Sequence, residues 1–202
     1  MDSRLPTFEF VGAWRHAQGR AGSLNRTVYM KGGFSVCGDS VWMTNDQSLK
    51  KAVLEYRKPT PAKTFDTTEM PVAQIVTEAI PVEPWYTKGT HTSQVFCDEE
   101  AARLIVTNHE WYDANKDHRD FIVVMDYDGK NRQGFFNVKG QKLSAGNILK
   151  TPSELEGLVG GRLYMHGEHW SSIVSRYSMG PSLAGWDGEL QAYSHDIPWN
   201  QN

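Results

Sequence analysis

The sequence predicts an all-β chain with one or two short helices, closed as an antiparallel barrel or stacked as a β-sandwich. Three observations lead there. Short runs rich in Val, Ile, Thr and aromatic residues recur along the chain. Turn signals separate them roughly every 8–12 residues, the spacing of an antiparallel barrel or sandwich. Only one stretch, Thr151-Pro152-Ser153-Glu154, carries a good helix start.

In chain order, residues 1–7 read as a lead. Phe8 to Arg15 brings an apolar approach to Gly12, and Trp14 opens the first strand. Gly lets this backbone come close to another segment, and Trp covers a large apolar area. Leu24 to Met30 reads as a strand. Phe34 to Met43 reads as a hairpin turning at Gly38-Asp39, and Leu49 to Tyr56 as a strand or a short helix, with strand preferred. Residues 59–84 hold five prolines and form a rim loop with one strand, Val72 to Ile80. Thr90 to Cys97 and Arg103 to Tyr112 are strands joined through Asp98-Glu99-Glu100. Phe121 to Tyr127 turns at Asp128-Gly129 into Gln133 to Val138. Thr151 caps a short helix that stops at Gly160-Gly161. A last long strand runs from Arg162 to Tyr177, and residues 180–202 form an irregular tail. Residues 1–202 make one domain.

Composition narrows the function. The chain is 39% apolar and 22% charged, with net charge −3. No run of Lys or Arg tracks a phosphate backbone, so nucleic acid is not an expected partner. No stretch has the roughly 18–20 apolar residues of a membrane span, so a membrane is not expected either. Without a secretory signal, the expected compartment is the cytoplasm. There Cys37 and Cys97 read as free buried thiols; in a secreted protein they would bridge. Asn25-Arg26-Thr27 then has its glycosylation pattern by chance. Seven Trp, eight Tyr and eight Phe serve a core or a pocket equally well.

Phe10-Val11-Gly12-Ala13-Trp14-Arg15 is similar to the entry motif of lipocalin-like (calycin) barrels, where Gly-x-Trp opens the first strand. The resemblance covers only these few residues. It implies an antiparallel lipocalin-like β-barrel in which Gly12, Trp14 and a late-strand Arg are structural. Arg176 stands where that cation–π partner of the Trp belongs. It also implies a cavity for one small ligand, in a carrier or in an enzyme. The helix before the last strand and the Pro-rich loop depart from the family pattern. Gly185 to Tyr193 is similar to a segment of jelly-roll β-glucan hydrolases, but no Glu-x-Asp-x-x-Glu accompanies it.

The densest polar stretch is Arg162 to Trp170. Strand alternation puts Arg162, Tyr164, His166, Glu168 and Trp170 on one face and Leu163, Met165 and His169 on the other. The polar face either meets solvent or lines a cavity. In the second case His166, Glu168 and Tyr164 form an acid–base row, and Trp170, Arg162, His109 and Trp111 bind the ligand. A metal on His166 and Glu168, joined by His91 or His109, is the third reading, but the spacing is not that of a zinc site. No metal and no cofactor are therefore expected.

The function expected is binding of a small apolar or aromatic molecule in a barrel cavity. If the protein is an enzyme, it is a cofactor-independent isomerase, cyclase or lyase. Two alternatives stand beside it. One is a carbohydrate-binding sandwich with Trp85, Trp111, Trp170 and Trp186 as platforms. The other is a structural or assembly subunit without a ligand. A homodimer stays open.

Overall fold

The computed structural model describes residues 9–16, 33–47, 50–76, 79–82, 90–110, 122–137, 147–159, 161–167, 182–186 and 191–192. Among them the regular structure is mostly strand, with one short helix. The segment 24–30, read as a strand, lies outside the described residues.

The first sheet contains β1 (Arg15–His16), β2 (Phe34–Cys37), β3 (Ser40–Gln47), β4 (Lys50–Arg57), β5 (Val72–Ile75) and β6 (Ile80–Pro81). Its order is β1-β5-β4-β3-β2, with β6 also on β4. The β2–β3 hairpin turns at Gly38-Asp39 as expected. Gly38 has φ +52, the left-handed geometry that a two-residue hairpin turn asks of its first central residue. The strand expected over Val72 to Ile80 is instead two short ones, β5 and β6, which pair separately with β4. The β1–β5 pair is parallel, so the chain is not purely antiparallel.

The second sheet has the order β14-β10-β9-β8-β7. Its strands are β7 (Thr90–Asp98), β8 (Arg103–Glu110), β9 (Ile122–Met125), β10 (Gln133–Asn137) and β14 (Gln191–Ala192). The β9–β10 turn holds Gly129 at φ +76, and a side chain there would run into Ile80. A glycine is therefore needed for this turn to close over β6. The two sheets meet where Gly33 bridges Gln94 in parallel. Together they form one curled sheet, half of a barrel wall. Between its halves lie Trp42, Val53 and Ile80 from one side and Val95, Leu104, Val106, Val123 and Met125 from the other.

The third sheet is β11 (Asn147–Lys150), β12 (Leu163–Gly167) and β13 (Ser182–Trp186), all antiparallel. β11 was not legible in the sequence, and β13 and β14 fall in the stretch read as an irregular tail. The last long strand is described over Leu163–Gly167 only; 168–181 lie outside the described residues. The link between β11 and β12 carries a 3-10 turn, Ser153–Leu155, and α1 (Glu156–Val159). The expected Thr151 cap is absent. The Thr151 N–H instead donates to the Arg162 carbonyl at 2.8 Å, continuing the β11–β12 ladder, and Pro152 takes the cap position without a side-chain bond.

The third sheet docks on β7 through a buried glutamine. The Gln94 Nε2 donates to the Ile148 carbonyl (3.2 Å), and the Ile148 N–H donates to the Gln94 Oε1 (2.5 Å). One side-chain amide thus satisfies both polar groups of a buried backbone unit, which would otherwise be costly to bury.

Candidate functional site

The entry motif has the geometry its glycine implied. Gly12 has φ +145, and a Cβ there would stand 2.7 Å from the Pro61 Cβ. Ala13 and Ala62 exchange backbone hydrogen bonds of 2.8 and 3.0 Å across this close approach. Trp14 is half-buried against Val41, Leu54, Tyr56 and Ala73. That cluster alternates with Trp42 and Val53 along β3 and β4, so it occupies the other face of the first sheet. Burial pushes the Tyr56 hydroxyl up to about 12. Arg176, the expected partner of Trp14, lies outside the described residues.

Of the polar stretch, Arg162 is the residue whose surroundings are described. It lies just before β12 and points its guanidinium at the end of β7. Nη1 donates to Asp98 Oδ1 at 3.1 Å and Nη2 to Oδ2 at 3.0 Å, a fork-to-fork pair. Arg103, first residue of β8, adds Nε to Oδ2 at 3.2 Å. The Asp98 side chain is only 2% exposed. Burial alone would raise its pKa, but Arg162 and Arg103 together outweigh burial and hold the carboxyl below the usual range. Arg162 also meets Glu100 at 3.4 Å. Glu100 receives Lys150 at 2.5 Å, a bond that lowers the carboxyl and raises the amine.

These charges edge a cleft of about 130 Å³ between β2, the end of β7 and the start of β12. Val36, Phe96 and Leu163 give it apolar walls, and Ser35 and Cys97 line it where β2 and β7 part. Glu100 and Lys150 continue into a wider depression of about 440 Å³ with Thr151, Ser153 and Glu156. The size matches a small ring, since an apolar cavity of about 150 Å³ accepts benzene.

Cys37 and Cys97 are not free thiols. They form a disulfide with Cα atoms 6.2 Å apart, across 60 residues of sequence. The two hairpins bring them together, and two residues so far apart give no local signal. The Tyr127 hydroxyl donates to Cys97 Sγ at 3.4 Å, and its ring stacks on Trp42.

The other sequence candidates are placed by backbone or not at all. Tyr164 pairs with Leu149 and Gly185, and His166 with Asn147 and Leu183, in the middle strand of the third sheet. His109 sits opposite His91 on β8 and β7. Glu168, Trp170 and Trp111 lie outside the described residues. Sequence reasoning found Arg162 but missed Asp98, Glu100 and Lys150. Asp98 and Glu100 had one signal, the acidic run Asp98-Glu99-Glu100 ending an apolar strand, and Lys150 had none.

The fold and cleft define an all-β protein with a curled sheet and a small, charge-edged opening on its flank. No family model, curated protein or solved structure matches the chain significantly.

Proposed function

We propose that the chain binds a small apolar or aromatic molecule, and that the site is the cleft between β2, β7 and β12. The observation that carries this is the pairing of apolar walls with charges already matched to one another. Asp98 is satisfied by two arginines and Lys150 by Glu100. Such a rim favours an uncharged ring with one hydroxyl or carbonyl over an ion, which would have to displace a made pair. Among the described residues, side chains such as Trp42, Leu104 and Met125 pack together between the halves of the curl. The site is therefore put at the flank rather than inside the curl.

The lipocalin-like entry stretch supports a carrier. Tyr164 and His166 lie on β12, which begins directly after Arg162. That order keeps acid–base turnover of the bound molecule within the proposal. A pH–rate profile that survives His166→Ala would remove that part. The disulfide is of the kind kept in oxidising compartments, and favours one over the cytoplasm.

Benzyl alcohol is the direct probe. Titrated into labelled protein, it should shift the Val36, Phe96 and Leu163 resonances along one saturable curve, with Kd on the order of 1 mM. Benzoate and benzylamine should bind more weakly, and Val36→Lys should abolish all three. Shifts scattered over the surface without saturation would end the proposal.

A further inference from the structure

The two walls of the cleft belong to strands that the backbone scarcely joins. Gly33 bridges Gln94, with the Gly33 N–H donating to the Ser93 carbonyl at 2.9 Å. A parallel ladder would carry on from there through the β2 carbonyls. Instead the Cys97 N–H donates to the Ser35 Oγ at 3.0 Å, so a side chain takes the place of the backbone acceptor. Beyond Ser35 the two strands are tied by the Cys37–Cys97 disulfide, with Cα atoms 6.2 Å apart. Ser35 and Val36 are on one side of this split, and Phe96, Cys97 and Asp98 on the other, all lining the cleft.

We infer that the Cys37–Cys97 disulfide sets the width of this cleft, so that thiol–disulfide exchange with an external dithiol opens the site. The inference rests on the cleft being the ligand site. Cys97 is 5% exposed, whereas Cys37 is half-buried beside the exposed tip residues Gly38 and Asp39. The approaching thiolate therefore meets Cys37. It forms a mixed disulfide there and expels Cys97 as a thiolate, which accepts a hydrogen bond from Tyr127 and then takes a proton. The second thiol of the dithiol displaces Cys37 in turn. Two protein thiols result, and the dithiol leaves as its own disulfide. Among the described residues, the walls then keep the Gly33–Gln94 bridge and the Ser35 hydrogen bond.

The test uses the whole chain with and without dithiothreitol, reading amide hydrogen exchange and benzyl alcohol binding side by side. Alkylation should find no free thiol before reduction and both afterwards. Exchange at Val36, Cys37 and Cys97 should then speed by about tenfold, while Ile105 and Val123, although they follow the loss of global stability, stay much slower than the seam. Benzyl alcohol affinity should fall by about tenfold in the reduced form. Cys37→Ser/Cys97→Ser should reproduce both effects. If the variant does not fold, reduced wild type alone decides. Free thiols in the native protein overturn the inference. So does a fully reduced protein with unchanged seam exchange, or one in which Ile105 and Val123 exchange as fast as the seam. A seam that responds while benzyl alcohol binds neither form supports the tie and removes only the ligand reading.

Discussion

Strand β7 is held on its two sides by different means. Toward β8 it has eight register pairs, from Thr90↔Glu110 to Asp98↔Arg103, joined by a four-residue turn. Toward β2 it has, among the described residues, one bridge, a serine hydroxyl and a disulfide. The first side is backbone, local in sequence and cooperative. The second is made of side chains whose partners are about sixty residues away. A strand ladder excludes ligand because every polar group is used and neighbours are close. A seam of side chains leaves a gap that a small molecule can enter. The cleft lies on the second side for that reason.

Three variants would break or sharpen the contrast. The largest effect belongs to the disulfide. Closing a 60-residue loop restricts the unfolded chain, and the chain-entropy account gives about 4 kcal/mol. Cys37→Ala/Cys97→Ala should lower the urea midpoint accordingly. A midpoint within error of wild type would mean that the seam holds without its covalent tie.

Next comes Asp98, the corner where ladder, cleft and third sheet meet. Asp98→Asn leaves two guanidiniums facing an uncharged amide. The cost expected is about 2–3 kcal/mol, less than for a fully buried pair because both arginines are about one-fifth exposed. The pH dependence has a definite sign. The carboxyl is depressed in the folded state, so its contribution is complete above the unfolded carboxylate pKa of about 3.9. It is lost as pH falls through the lower folded value. Wild type should therefore lose stability below about pH 4 more steeply than Asp98→Asn. Parallel acid curves for the two proteins would show that the arginines do not act through this carboxylate.

The smallest effect is at Ser35. Ser35→Ala removes the acceptor of the Cys97 N–H, and an orphaned buried amide costs about 1–3 kcal/mol, nearer the lower end where water can enter from the cleft. Exchange at the Cys97 amide should quicken while Val106 on the ladder side stays as it was. Equal change at both would mean that β7 responds as one unit.

The same contrast explains what could be read from residues alone. The β2–β3 and β9–β10 hairpins were legible because Gly38-Asp39 and Asp128-Gly129 carry turn chemistry within the hairpin itself. β7 and β8 were legible from their β-branched and aromatic content. β11 was not, since four residues, Asn147–Lys150, make too short a pattern to stand out. β13 was missed because Ser182–Trp186 is mostly small residues. Half of the site followed the same rule. Arg162 stood out in its polar stretch, yet its partners Asp98 and Glu100 precede it by about sixty residues. Alternation along one strand shows which residues share a face. It does not show which distant strand that face will meet.

Gln94 has a consequence for how the chain is made. Its carboxamide waits for Ile148, 54 residues downstream. During synthesis at about 5–20 residues per second, the ribosome takes roughly 3–11 s to cover that distance. Through that interval the β7 face carrying Gln94, Phe96 and Asp98 has been translated while its cover has not. The nascent sheet should be most open to chaperones, or to a neighbouring nascent chain, in those seconds.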